Sequence, residues 1–359
     1  MDGPAHDISV GDRAPNFVLP GPDGAFLMFY ERTKGRPVVL LFCPGRRSPG
    51  ARGEVEAFDG LAPEFAAAGV DIFLVSLDGV EDNARLNAPF LVWSDPKRAI
   101  TAAFLNGAGI AFDPGRPPGD GVTAFLLDAN QRVLAIQTGA DQAERALAFY
   151  RARPPAEASR VLASSAPVLL LPEVIDRRMC RELIDLWQTK GHDEGPVGSV
   201  AGGAEVERVY HSMKKRLDHA IMDADINRTL QRTIGRRLAP EMAKAFCTEA
   251  LRFDRFLVVC YDAERGDRFR PHRDNLSPST ADRRFAMTLN LNTEEYRGGE
   301  LVFPEYGPHG YRPKSGGAVV FSCSLIHEAL PVTEGRRFAL LTFLRDRPGS
   351  GGGSNTPGS

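Results

Sequence analysis

The chain has 359 residues, 43% of them hydrophobic and 25% charged, and 44 basic residues against 46 acidic ones leave a net charge of −2. This length suits two domains with a core each, and the even charge balance excludes a protein that coats nucleic acid or a membrane by charge. No apolar run approaches a membrane span and the opening, MDGPAHDISVGDRAP, lacks the apolar stretch of a signal peptide, so a cytoplasmic protein is expected, with no nucleic-acid or membrane partner.

In chain order, the first half alternates strand and helix signals. PVVLLF (37–42) reads as a buried strand, and EVEAFDGLAPEFAAAG as a helix with Val55, Phe58, Leu61 and Phe65 apolar. DIFLVSLD (71–78) reads as a second strand, TAFLLDANQRVLAIQTG as a hairpin turning near Ala129-Asn130, and DQAERALAFYRA as a closing helix. Strands interleaved with helices predict an α/β sheet covered on both faces. RARPPAEASRVLASSAP then divides the chain. The expected organisation is a domain over 8–152, a linker over 153–166, a second domain over 167–346 and a disordered Gly/Ser-rich tail over 347–359.

The second half opens with APVLLLPEVIDRRMCRELIDLWQT, a strand, a turn and an amphipathic helix, and a second helical region runs from about Ala220 to Phe246. From Leu251 onward FLVVCYD, FAMTLNLN, GELVFPE, GAVVFS and RFALLTFL are short strands between Gly/Pro/Asp turns, the signature of an antiparallel sandwich or jelly roll. The five cysteines, Cys43, Cys180, Cys247, Cys260 and Cys323, form no CxxC and no framework, which argues against disulfides. Cys260 and Cys323 sit inside apolar runs and read as small buried residues.

In the first half, VGDRAPNFVLPGPDG (Val10–Gly24), PVVLLFCP and FLLDANQRVL together resemble the peroxiredoxins, a branch of the thioredoxin-like fold. That family ends its strand in P-x-x-x-T-x-x-C, whose cysteine attacks peroxide. Here Pro44 matches the proline and Ser48 the threonine, while Ala51 falls where the nucleophile should be. An alanine methyl offers no thiolate. The family's arginine, just before the strand, is matched by Val122. Cys43 lies eight residues too early, at a strand end, away from a helix N-terminus that would lower its pKa. The expectation is a thioredoxin-fold domain that has lost its redox chemistry.

The second half carries the chemistry. In YDAERGDRFRPHRDN, His272 and Asp274 are two apart, so an extended segment aims both to one side. His327 follows the strand of GAVVFSCSLIH, 53 residues beyond Asp274. Two histidines and one carboxylate make the facial triad of non-haem Fe(II) oxygenases, and Zn(II) in a hydrolytic site also accepts such ligands. Further on, alternation puts Arg337, Ala339, Leu341 and Phe343 on one face of a strand and Arg336, Phe338, Leu340 and Thr342 on the other. One guanidinium on an apolar face needs an anionic partner, and a dicarboxylate that also chelates iron would supply one. Arg337 is the expected residue; Arg336 is the alternative if the register slips by one.

With these residues the region 167–345 resembles the 2-oxoglutarate- and Fe(II)-dependent dioxygenases of the prolyl 4-hydroxylase type. Tyr261, Gly266 and Phe269 match that family's lead-in to HxD, TLNLNTEEYRGGELVFPE its "GGEL-F" segment, and His327, Pro331, Val332, Gly335 and Arg337 its closing element. The resemblance implies a double-stranded β-helix (jelly roll) with flanking helices, beside the thioredoxin-like N-terminal domain. It implies Fe(II) held by His272, Asp274 and His327, with 2-oxoglutarate as co-substrate and O2 as oxidant, and ascorbate as a further cofactor. Arg337 would pair with the far carboxylate, Thr288 and Asn290 would line its pocket, and Tyr261 would hydrogen-bond near the chelating end. The expected reaction is hydroxylation of a prolyl or other side chain in a protein or peptide, or of a small molecule, with 2-oxoglutarate converted to succinate and CO2. The competing readings are a thiol redox enzyme acting through Cys43 and a non-catalytic binding protein.

Three other features are open at this stage. His309 reads as a surface-loop residue rather than a ligand. His211 and His219 flank Lys214-Lys215-Arg216, a cluster expected to be a solvated face, with a substrate contact as the alternative. DEGPVGSVAGGAE (193–205) reads either as a mobile lid over the iron or as an ordinary disordered loop.

Overall fold

A computed structural model describes residues 8–45, 48–85, 88–116, 119, 121–154, 159, 161–195, 197–201, 204–208, 212–248 and 251–346. The chain divides into two units, 1–159 and 160–359. No helix among the described residues is long and apolar enough to cross a membrane, and all five cysteines are free.

In the first unit a five-stranded sheet runs in the order Leu91–Ser94, Asp71–Ser76, Val38–Cys43, Thr123–Leu127, Val133–Gln137. The first three strands are parallel and the last two antiparallel. All six residues of Val38–Cys43 are buried, as a central strand covered on both faces requires. Val39, Leu41 and Cys43 pack with the helices Pro49–Gly60 and Gln142–Arg151; Val38, Leu40 and Phe42 pack with Phe17, Phe29, Trp93 and Phe104 on the other side. This is a thioredoxin-like fold. The single helix expected over 54–69 is two, Pro49–Gly60 and Ala62–Ala67, because Pro63 has no amide hydrogen to continue the first. The short strand Leu91–Ser94 and the helix Ala99–Gly107 complete the fold and carry little periodic signal of their own.

The second unit is a jelly roll of antiparallel strands. Its major sheet runs Leu169–Leu171, Ala318–Ser322, Arg283–Asn290, Arg336–Arg345, Leu257–Asp262, Leu217–Ala220, Asp193–Glu194, with Arg252–Phe253 also pairing with Arg336–Arg345. The minor sheet runs Lys214–Lys215, Arg268–His272, His327–Ala329, Leu301–Val302, Gly310–Tyr311. The helices Arg177–Lys190 and Ala224–Phe246 seal the outer face of the major sheet: Leu183, Trp187, Leu230, Ile234 and Leu238 cluster with Val258, Cys260, Met287, Leu289, Phe338 and Leu340. The alternate residues of the same strands, Val259, Tyr261, Ala286, Thr288, Arg337 and Ala339, therefore point the other way.

The segment 193–205, expected to be a loop, is instead built of strands. Asp193–Glu194 joins the major sheet, and Val197–Ala201 pairs with Ala204–Arg208 as a β-hairpin, each chain satisfying the other's backbone groups. Residues 196, 202 and 203 lie outside the described residues, as do His211, most of 155–160 and the tail from 347.

A bidentate pair ties the first of these helices to the jelly roll: Arg177 Nη1 and Nη2 reach Glu294 Oε2 and Oε1 at 2.6 and 2.8 Å. This hydrogen bonding holds the Glu294 pKa down to about 2 from an ordinary 4.5. A carboxylate with a depressed folded pKa stabilises above its unfolded value and loses that contribution as pH falls through the folded one. Glu294→Gln is therefore expected to be less stable than the parent at neutral pH in urea unfolding, with the gap closing between pH 4.5 and about 2; a gap independent of pH would contradict the pairing.

Candidate metal centre and its cleft

His272 ends a strand of the minor sheet and His327 begins the neighbouring one, directly opposite in register. Asp274 follows two residues on, its backbone amide held by the Cys323 carbonyl at 3.1 Å. The three side chains converge: His272 Nε2 lies 3.5 Å from Asp274 Oδ1 and His327 Nε2 lies 3.3 Å from Oδ2. Their ligand atoms all fall within 4.8 Å of one another, the one such group among the described residues.

The histidines are set up as ligands. His272 Nδ1 meets the Arg270 carbonyl at 2.8 Å and His327 Nδ1 the Leu325 carbonyl at 3.1 Å. A carbonyl only accepts, so each Nδ1 carries the proton and each Nε2 keeps its lone pair toward Asp274. Burial pushes the His327 pKa down to about 4, so its imidazole is neutral at pH 7. Donors about 2.1 Å from a shared ion and at right angles lie about 3 Å apart, close to the spacing seen here. The residues present fit a divalent metal, and two imidazoles with one carboxylate suit iron.

The triad opens into a cleft of about 560 Å3, part of it open to solvent, between the two sheets. Leu257, Leu301, Phe321, Leu341 and Phe343 form its apolar walls. Arg337 enters from the major sheet. It is 3% exposed, whereas Arg336 is exposed, so the register places Arg337 inward. Its Nη2 donates to Asn290 Oδ1 at 3.3 Å, its guanidinium lies 5.2 Å from the Tyr261 ring centroid, and its Nε is buried without a partner. No carboxylate among the described residues pairs with it. Thr288 also lines the cleft. Asn290 is placed differently from a pocket wall: it donates to the Pro313 carbonyl at 2.9 Å and accepts from Arg337, so it holds the arginine in place. Tyr261 sits across from Arg337 in register, so its ring packs at the arginine end of the cleft.

Sequence reasoning missed Arg216. The cluster Lys214-Lys215-Arg216 is not a solvated face: Lys214 and Arg216 are 5% and 6% exposed. Arg216 pairs with Asp218 at 2.7 Å, donates to Tyr261 Oη at 3.0 Å and lines the cleft. The available signal was R-L-D at 216–218, opposite charges two apart in an extended segment and thus on one side. His219 turns instead to the Gly191 carbonyl, His309 is exposed, and neither lines the cleft.

In the first unit the position that matches the peroxiredoxin nucleophile is apolar. Ala51 is fully buried in the first turn of its helix and clusters with Cys43, Val55 and Val122. Cys43 is 1% exposed, which shields its sulfur from solution substrates.

Comparison with known proteins agrees with this division. Residues 256–345 match the 2OG-Fe(II) oxygenase superfamily, and residues 10–115 match the AhpC/TSA family. A PKHD-type hydroxylase of Azoarcus sp. (strain BH72) is 45% identical over 61 residues, 17% of this chain and 27% of that protein. Peroxiredoxin Q, chloroplastic, of Oryza sativa subsp. japonica is 29% identical over 147 residues, 38% of this chain and 63% of that protein. The crystal structure of a Pseudomonas putida prolyl-4-hydroxylase aligns with 18% identity and a TM-score of 0.40, covering 51% of this chain and 95% of that one. The C-terminal half thus resembles the 2-oxoglutarate/Fe(II) dioxygenases and the N-terminal half a peroxiredoxin without its cysteine.

The paired glycines of the GGEL segment have a physical reason in this site. Gly299 has φ +67°, and a Cβ there would lie 3.0 Å from Arg337 Cδ. Gly299→Ala is expected to cost about 1–2 kcal/mol from the left-handed backbone alone, measured by thermal melting. The added methyl should also press on the Arg337 side chain. An alanine variant of unchanged stability would contradict this packing.

Proposed function

We propose that the chain is an Fe(II)- and 2-oxoglutarate-dependent dioxygenase that hydroxylates a prolyl or other side chain of a protein or peptide, or a small molecule. One observation carries the reading: a His-Asp-His group opens into the same cleft as a buried arginine that has no carboxylate partner among the described residues. A buried guanidinium without an anion is costly, and an anionic ligand relieves that cost. The printed name of a similar protein, a PKHD-type hydroxylase, supports hydroxylation as the reaction. The free, mostly buried cysteines support a reducing compartment such as the cytoplasm.

His272, Asp274 and His327 would hold the metal, leaving the cleft side for ligands. The chemistry supplied there by ferrous iron with O2 is oxidative decarboxylation of 2-oxoglutarate to succinate and CO2, coupled to hydroxylation of a substrate C–H bond. Ascorbate would serve to keep the iron ferrous. Arg337 would pair with the far carboxylate of 2-oxoglutarate, its direction set by Asn290. Thr288, which lines the same cleft, would offer its hydroxyl to the co-substrate. The apolar walls exclude water from the reacting atoms, which strengthens these polar contacts.

Anaerobic titration with Fe(II) and then 2-oxoglutarate tests this by the visible metal-to-ligand charge-transfer band. The band is expected in the parent protein and absent in His272→Ala. Arg337→Ala should need about 10- to 100-fold more 2-oxoglutarate at unchanged metal affinity, the usual worth of a hydrogen-bonded charge. No band in folded, iron-loaded protein would overturn the assignment.

A further inference from the structure

The surroundings of Tyr261 restrict what its hydroxyl does. Arg216 Nη1 donates to Tyr261 Oη across 3.0 Å. The same guanidinium is fixed by Asp218, Nε to Oδ1 at 2.7 Å and Nη2 to Oδ2 at 3.1 Å, and Lys214 Nζ backs that carboxylate at 3.2 Å. Arg216 is 6% exposed, so the arrangement is buried and its rotamer is held by two strong contacts. A guanidinium has donors and no acceptor, so the phenol oxygen accepts from Arg216 and its own O–H is left to donate. Among the described residues that O–H has no acceptor. Two guanidiniums also lie near the Tyr261 ring, that of Arg337 at 5.2 Å and that of Arg216 at 5.7 Å from its centroid. Asp218 neutralises one of the two, and the potential left at the hydroxyl favours an anionic acceptor.

We infer that Arg216 is a positioning residue: braced by Asp218, it fixes Tyr261 as a hydrogen-bond donor to a carboxylate oxygen of the co-substrate. This rests on the 2-oxoglutarate reading above. The role belongs to the planar fork of arginine, which reaches Asp218 and Tyr261 together; a lysine ammonium offers a point charge without that geometry.

The test is calorimetric binding of 2-oxoglutarate to the full chain loaded with Mn(II), which needs no turnover. Mn(II) affinity is expected to be equal in the parent and in Tyr261→Phe, Arg216→Gln, Arg216→Lys and Asp218→Asn. Tyr261→Phe and Arg216→Gln should each weaken 2-oxoglutarate about tenfold or more, and the double variant should be no weaker than the worse single one. Arg216→Lys should stay as weak as Arg216→Gln, and Asp218→Asn should lose affinity in the same direction. Should Arg216→Gln fail to fold by circular dichroism, Arg216→Lys and Asp218→Asn with Tyr261→Phe carry the comparison. Losses that multiply in the double variant, or parental affinity in Arg216→Lys, would overturn the inference while leaving the dioxygenase reading intact. A parent protein that takes Mn(II) and no 2-oxoglutarate would overturn both.

Discussion

A guanidinium buried with no carboxylate partner among the described residues is the constraint around which the second unit is arranged. Arg337 is 3% exposed, and its neighbours are an amide oxygen, an aromatic face and a glycine that leaves it room. None of these neutralises its charge. Such a charge is costly in a protein interior, and the anionic ligand proposed above would relieve that cost in the cleft that the His-Asp-His group also lines. By contrast Arg216, a few ångströms across the Tyr261 ring, has its own carboxylate in Asp218 and is free to act on the tyrosine.

The jelly roll makes this arrangement possible by separating structure from chemistry along each strand. Residues at one parity, such as Phe338, Leu340, Met287 and Leu289, lie under the two helices and supply the apolar core. Residues at the other parity, Arg337, Thr288 and Tyr261, face the minor sheet that carries the histidines. Core packing can thus be rigid without reaching the cleft, and the two histidines inherit that rigidity from the strands whose ends they occupy. The carbonyls that hold each Nδ1 proton come from residues two positions earlier in the same chain segment, so the tautomer is set locally.

The first unit shows the converse. A thioredoxin-like sheet is kept intact, while the nucleophile and arginine positions of the resembled family are taken by Ala51 and Val122 and absorbed into an apolar cluster with Cys43. Burying methyl groups there stabilises the sheet–helix contact and removes the conditions for a reactive thiolate. Fold and chemistry are separable, and here the sheet is kept with an alanine at the position that matches the resembled family's nucleophile.

Much of this was legible in one dimension because it depends on local geometry. The spacing of HxD pointed to a convergent His-Asp pair, although Asp274 lies past the end of its strand, and the parity of the closing strand singled out Arg337 over Arg336. The absence of a cysteine at Ala51 likewise needs no structure to be read. What only the tertiary structure decided depends on neighbours far apart in sequence. Asn290 serves Arg337 because two strands pair at that register. The hairpin within 197–208 exists because each strand satisfies the other. Lys214 and Arg216 are buried because Phe269, Tyr261 and Asp218 close over them, and a run of basic residues has no local feature that foretells it. Alternation along a strand is fixed by backbone stereochemistry, whereas the environment of a charge is set by the strands that come to lie beside it.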